Sequence, residues 1–477
     1  MALVKPAEVP ALSDLGRVHL AGIGGAGMSA IARVMLARGV VVSGSDAAET
    51  ATLKELESLG ARVHLGQRAA NLADAQTLVV SSAIREDNPE LVEARRRGLR
   101  VLHRAGALAS LTADRRVIAV TGTHGKTTTT SMITTIFLGV DAGPGYAIGG
   151  TLASTGVNAA DGSGPDFVLE ADESDGSFLM LSPDAAVITN VDADHLDNYG
   201  TVEAYRASFS RFCDRIAPGG LLITCADDPG AAEVARHGRD RGLRVVTYGA
   251  YAEADYQARD IQVAGMNTSF TVTGGGTSVE VMLQVPGSHY VLNATAALAA
   301  AAELGIAPAS AAAALGGYRG AGRRMEPKGE AAGVRVVDTY AHHPVELVAD
   351  LAAARQIAAG GRVIAVFQPH LYSRTRIFAA EFAGALAQAD VAVVLDVYAA
   401  REDPEPGISG RLVADAVPGE AHYVPMAADV PRFVASIAAP GDLVLTMGAG
   451  DVTRLGPLIL EQLAASPGAA GTGAAGQ

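Results

Sequence analysis

Cysteine is scarce: Cys213 and Cys225 are the only two in 477 residues. Two thiols are too few for a disulfide framework and lack the spacing of a metal pair, so both are expected in the core of a protein from a reducing cytosol. Basic charge is also short, with 37 Lys and Arg against 51 Asp and Glu and a net charge of −14. No sustained basic face follows, which excludes a nucleic-acid partner; Arg95 to Arg97 reads as a solvated helix end. Any phosphorylated substrate must be held by local charge, because the overall field is repulsive to it. No apolar run is long enough to span a bilayer, and MALVKPAEVPALSDLG lacks the apolar centre of a signal peptide. Stable membrane insertion is excluded and a cytoplasmic protein is expected. The last dozen residues, 466–477, SPGAAGTGAAGQ, read as a disordered tail.

What is present in excess is glycine, 55 residues, within a composition that is 49% apolar. That suits an α/β enzyme, and the length suits about three domains at ~150 residues each. The chain is organised around VIAVTGTHGKTTTTSMI, Val117 to Ile133. Val117 to Val120 reads as a buried strand, Thr121 to Gly125 as a glycine turn, and Lys126 as the start of a helix. Gly122, Thr123 and Gly125 would turn backbone N–H groups to an anion, Lys126 adds a point charge, and the Thr127 hydroxyl can ligate Mg²⁺. The loop is the short form TGTHGKT and lacks the leading glycine of the common phosphate loop, which points away from ordinary ATPases and GTPases.

Upstream, the strand Val18 to Ala21 runs into GIGGAGMSA, where Gly22, Gly24 and Gly27 have the G-x-G-x-x-G spacing. A helix stopped by Gly39, a strand at Val40 to Val42 and Asp46 about 20 positions beyond the glycines complete a βαβ unit. An NAD site, a site for another diphosphate nucleotide and a structural glycine turn all fit. Strands at Thr77 to Ser81, followed by Ser82, and at Arg100 to Leu102 extend this sheet, and Leu111 to Arg116 reads as a linker.

Downstream, Phe167 to Leu169 is a strand ending in Glu170, Asp172, Glu173 and Asp175. Four carboxylates in six residues repel one another unless cations offset them, and a divalent-metal site is the natural explanation beside a solvated acidic loop. Asn190 and His195 follow the strand Ala185 to Thr189, where α/β ligand sites collect. Gly249 to Val285 alternates as an antiparallel insertion, and Val291 to Leu304 is a helix with Asn293 in its first turn, placed for a base edge or for capping. In the last third, polar clusters follow strands at Val334 to Val337, Arg362 to Phe367, Val391 to Leu395 and Asp442 to Thr446.

GIGGAGMSA, TGTHGKTTTT, EADESDGSF, Asn190 with His195, the GAGRR boundary and FQPHLYSRT occur in the order found in the Mur ligase family, which this chain resembles over residues ~18 to 451. The resemblance implies an α/β fold of three domains: a Rossmann-like N-terminal domain, a central P-loop-type ATP-binding domain and a C-terminal Rossmann-like domain. The expected bounds are 1–110 for UDP-sugar binding, 111–322 for ATP and 323–465 for the amino acid, with 466–477 as tail. It implies ATP-dependent ligation of L-alanine to the carboxylate of UDP-N-acetylmuramic acid through an acyl phosphate. Two Mg²⁺ sites, Mn²⁺ as a substitute, and a monomer or homodimer complete the expectation.

Carried onto this sequence, the family's UDP-sugar residues are Gly22, Gly24, Gly25, Gly27, Asp46, Ser82 and His124. ATP falls to Gly122, Thr123, Gly125, Lys126, Thr127, Thr128, His289, Asn293, Arg324 and Asp338; metal to Thr127, Glu170 and His195. Tyr340, His342, His343 and Arg374 line the amino-acid region, and Lys126, Glu170, His195 and Arg324 carry catalysis. Three positions depart from the family pattern: Thr339 replaces an aspartate expected to serve ATP, Leu371 replaces a frequent arginine, and Tyr290 replaces a common asparagine. Rival readings are a peptide-recycling ligase acting on the same UDP-sugar, an NAD-dependent oxidoreductase, and a nucleotide-sugar-binding homologue without catalysis.

Overall fold

The computed structural model describes residues 3–400 and 402–465; the expected tail at 466–477 lies outside them. The chain forms two compact units, one running through Asp260 with Phe270–Met282 and Val291–Arg319, the other Ile261–Ser269, Leu283–Tyr290 and the residues from Gly320 on. Three sheets follow one another along the sequence.

The first sheet contains β1 (Val18–Ala21), β2 (Val42–Asp46), β3 (Arg62–Leu65), β4 (Thr77–Val80) and β5 (Arg100–His103). All pairs are parallel in the order β3-β2-β1-β4-β5. β1 is central and fully buried, as in a parallel strand covered on both faces, and its one polar residue, His19, meets the Ser43 hydroxyl at 2.9 Å. The second strand begins two residues later than expected and runs on through Asp46. Leu111 and Thr112 are likewise not linker: they form the buried end of the helix Arg104–Thr112.

The second sheet holds β6 (Arg116–Thr121), β7 (Gly145–Ala147), β8 (Ala159–Ala160), β9 (Asp166–Glu170), β10 (Ala185–Ile188), β11 (Leu221–Cys225), β12 (Arg244–Gly249), β13 (Tyr256–Ala264), β14 (Asn267–Gly274) and β15 (Thr277–Leu283). Their order is β15-β14-β13-β12-β11-β10-β6-β9-β7-β8. β6 therefore lies between β10 and β9, and the loops after these three strands emerge at one edge. The helix that follows β6, Lys126–Gly139, is rich in threonine yet almost wholly buried. It tolerates this because Thr130, Ser131, Thr134 and Thr135 each donate to the carbonyl four residues back, at 2.6–2.8 Å.

The third sheet holds β16 (Glu326–Ala331), β17 (Val334–Thr339), β18 (Val363–Phe367), β19 (Val391–Val394), β20 (Glu420–Tyr423) and β21 (Leu443–Met447), ordered β16-β17-β21-β18-β19-β20. Only β16 is antiparallel to its neighbour. Two apolar clusters, one on each face of this sheet, contain Leu351, Phe367 and Phe382, and Ile364, Val393 and Ile459. Among the described residues no helix is long and apolar enough to cross a membrane.

Candidate active site

The glycine turn after β1 is fastened from below. The amides of Gly22 and Ile23 donate to the Ser45 carbonyl at 2.8 and 3.0 Å, and Gly24 donates to Asp46 Oδ2 at 2.9 Å. Asp46 is thus spent shaping the turn. Gly25 caps the helix Ala26–Ala37 without a side chain, which leaves its first-turn N–H groups open to an anion. Ser82 is turned toward the acidic segment: its hydroxyl donates to Asp175 and lies 3.1 Å from His103 Nε2. Burial lowers the His103 pKa to about 4, so the ring is neutral.

The phosphate loop requires glycine at two places. At Gly122, φ is +134° and a Cβ would fall 2.1 Å from Thr189 Oγ1; at Gly125, φ is +82° and a Cβ would fall 2.6 Å from Asn293 Oδ1. Asn190 braces the loop by accepting from the His124 amide at 2.8 Å and donating to the His124 carbonyl at 3.0 Å. Thr123 Oγ1 lies 2.9 Å from the Tyr205 hydroxyl. Asn293, in the second turn of its helix and not the first because that helix begins at His289, lies under the loop and accepts from Thr129 at 3.2 Å. Thr128 is buried in the first helical turn.

Lys126 Nζ donates to the Gly122 and Thr123 carbonyls at 2.7 and 3.1 Å and to Glu173 Oε1 at 2.8 Å. Burial opposes this charge, but Glu173, Asp172 and Glu170 outweigh it and raise the pKa. The four carboxylates are therefore offset mainly by the chain's own cations. Arg104 pairs with Asp172 at 2.5 Å and Lys126 with Glu173, and no group of three or more His, Cys, Asp or Glu among the described residues is arranged to hold a metal alone. What remains is oxygen chemistry suited to Mg²⁺: Thr127 Oγ1 lies 3.1 Å from Glu170 Oε1, while Glu170 Oε2 accepts from Gly149 N at 2.8 Å. Glu173 Oε2 is buried with no hydrogen-bond partner among the described residues. His195 sits at φ +54°, a strained position for a non-glycine residue, with Nε2 3.4 Å from Glu173 Oε1 and 3.5 Å from Asp194 Oδ2.

In the second unit, Asp338 lies on β17. It is fully buried, accepting from Thr446 at 2.6 Å, Thr453 at 2.7 Å and Arg323 at 3.2 Å, because strand alternation turns it inward. Thr339, on the other side of β17, donates to a carboxyl that the sequence reading missed, Asp350 of the helix Pro344–Ala358. Burial, with Glu346 adding to it, raises Asp350 to about 7. Its Oδ1 lies 3.8 Å from His289 Nε2, and burial beside Arg324 lowers His289 to about 4. The available signal was an acidic residue on the apolar stripe of Leu347, Leu351 and Ala354. Arg324 and Arg323 both stack on Tyr340, 5.3 and 4.9 Å from its centroid.

Tyr340 and His342 meet edge to face at 5.2 Å, and His342 meets His370 at 5.9 Å. His343 turns away and packs on Phe378 at 5.0 Å. Arg374 is buried in the helix Tyr372–Leu386, close enough for its charge to act on the Tyr340 hydroxyl. Leu371, at a position where arginine is frequent in the family, takes φ +70° and is 4% exposed, packed at the N-cap of that helix.

The chain matches three family descriptions: Mur ligase family, catalytic domain, over residues 17–116; Mur ligase middle domain over 120–301; and Mur ligase, glutamate ligase domain, over 323–450. It is 55% identical over 473 residues to a UDP-N-acetylmuramate–L-alanine ligase of Thermobifida fusca, covering 97% of this chain and 100% of the relative. A protein of the same name from Kineococcus radiotolerans is 56% identical over 465 residues, covering 96% and 98%. Among solved structures, a UDP-N-acetylmuramate-alanine ligase from Thermotoga maritima superposes with a TM-score of 0.81 at 30% identity, covering 94% of this chain and 98% of that one. A murein peptide ligase from Psychrobacter arcticus reaches 0.74 at 25% identity, covering 94% and 99%.

Proposed function

The chain belongs to the Mur ligase family, and from that membership we infer that it joins L-alanine to UDP-N-acetylmuramic acid at the expense of ATP, a step in building peptidoglycan precursors. The observation that carries this reading is the full-length likeness to alanine-adding ligases. It stands beside a phosphate loop whose Lys126, Thr127 and Glu170 are assembled in one unit. The likeness to the peptide ligase is lower in both identity and TM-score, and an oxidoreductase leaves the phosphate loop without a task.

The chemistry follows from family membership and from the reactivity of a carboxylate. A carboxylate is a poor electrophile, so the sugar's carboxylate first attacks the γ-phosphate of ATP, giving an acyl phosphate and ADP. The alanine amine then attacks the acyl carbon, and phosphate leaves. Lys126 is held charged and aimed along the loop, where it offsets the charge of the transferring phosphoryl group. Mg²⁺ bound with ATP would supply further charge neutralisation, held by Thr127 and Glu170, with His195 serving a second ion and Mn²⁺ able to replace it.

In this reading Gly22 to Gly27 receive the UDP-sugar, with Ser82 and His124 toward it, and Arg324 and His289 meet ATP. Tyr340, His342 and Arg374 face the amino acid, whose carboxylate suits the guanidinium fork of Arg374. We keep the domain bounds 1–110, 111–322 and 323–465, a cytoplasmic location, and a monomer or homodimer within the same proposal. The test is mass analysis of the nucleotide product after incubation with ATP, Mg²⁺, the UDP-sugar and L-alanine. A product heavier by one alanyl residue supports the reading. In a parallel incubation with a tripeptide in place of L-alanine, incorporation of the tripeptide without incorporation of alanine in the first overturns it.

A further inference from the structure

Arg104 opens the helix Arg104–Thr112 directly after β5. Its guanidinium lies between two neighbourhoods that the sequence separates widely. On one side, a Cβ built on Gly27 would fall 3.3 Å from Nη1, so the guanidinium roofs the first turn of the helix Ala26–Ala37. On the other, Nη2 is 2.5 Å from Asp172 Oδ2 and 3.9 Å from Asp175 Oδ2. A half-buried cation gains from a partner, and those carboxylates provide it. Burial works against the charge; Asp172 and Asp175 overcome it and keep the group ionised.

We propose that Arg104 is a substrate-binding residue which exchanges Asp172 for the diphosphate of the UDP-sugar, with Asp172 acting as an internal competitor for the same guanidinium. The proposal rests on the reading of Gly22 to Gly27 as the UDP-sugar site. A diphosphate seated over those glycines meets the open N–H groups of the helix Ala26–Ala37 and has Arg104 at its edge. A phosphate offers the planar guanidinium the same two-point contact as a carboxylate, with more charge. Asp172 is not stranded by the exchange, since its Oδ1 accepts from the Ser174 amide at 3.0 Å. The absence of a side chain at Gly27 is what lets the arginine and an anion share this turn.

The test is calorimetric titration of full-length protein, without ATP, using UDP-N-acetylmuramic acid, UDP and uridine as probes. Arg104→Ala should weaken both UDP compounds by roughly 10- to 100-fold, the size of a lost charge-assisted contact, and leave uridine binding unchanged. Arg104→Lys should fall between. Asp172→Asn should bind UDP several-fold more tightly than the wild type, because the competitor has lost its charge. Equal UDP binding by wild type and Arg104→Ala overturns the proposal alone. So does an equal loss of uridine and UDP, or weaker UDP binding in Asp172→Asn, each of which marks a purely structural ion pair. Failure of the wild-type protein to bind UDP overturns the glycine-turn reading and the proposal together.

Discussion

Lys126 Nζ lies 2.8 Å from Glu173 Oε1, and Glu173 is entirely shielded from solvent. The phosphate-binding lysine is therefore occupied by its own chain before a nucleotide arrives. Its pKa is raised chiefly by Glu173 acting against burial. Glu173→Gln removes that contribution, so Lys126 discharges at lower pH. The alkaline limb of the pH–rate profile is expected to move down in pH, and an unmoved limb would contradict the assignment.

Gly122→Ala meets both a positive φ and a Cβ 2.1 Å from Thr189 Oγ1, whereas Gly98, at φ +66°, has open space around its Cβ position. Gly98→Ala should cost about 1 kcal/mol of backbone strain and leave ATP binding intact. Gly122→Ala should cost more than that and lose ATP binding at least tenfold. Thermal melts with nucleotide titration compare the two, and equal effects would contradict the close approach of the loop to Thr189.

Thr127→Val removes a hydroxyl 3.1 Å from Glu170 while conserving shape in a site that is 5% exposed. The Mg²⁺ concentration for half-maximal phosphate release should rise roughly tenfold, with circular dichroism unchanged. An unchanged Mg²⁺ requirement would remove Thr127 from the metal site.

Asp350 has a folded-state pKa raised to about 7, against an ordinary value of 3.8. Between those values the folded chain holds a proton that the unfolded chain has released, so this group lowers stability as pH rises from about 4 to about 7. His289, lowered to about 4, has the opposite effect below its ordinary value of 6.5. Asp350→Asn removes only the first contribution. Its melting temperature relative to wild type is expected to climb between pH 4.5 and about 7.5, and parallel curves would contradict it.

The parts legible in the sequence are those whose signal is local. β1 and β6 read as strands because parallel strands buried on both faces are mostly apolar, with His19 the one polar residue of β1, and the phosphate loop announces itself by its glycines and Lys126. β3, β16 and β20 lack a clear strand signal because they edge their sheets and carry Arg62, Glu330 and Glu420 toward solvent. The end of the helix Arg104–Thr112 reads as linker in the sequence because its last turn runs directly into the charged Asp114 to Arg116. At the site, Asp350 and Arg104 owe their roles to tertiary contact. Arg104 meets Asp172 across 68 positions, which no spacing rule reaches.

The account stands most directly on phosphate release from the purified chain with ATP and Mg²⁺, with UDP-N-acetylmuramic acid present throughout and L-alanine added or withheld. It predicts release that requires both substrates and falls at least 100-fold in Lys126→Ala, the loss expected when a charge aimed at a transferring phosphoryl group is removed. Release that is indifferent to L-alanine, or that survives Lys126→Ala, would contradict it.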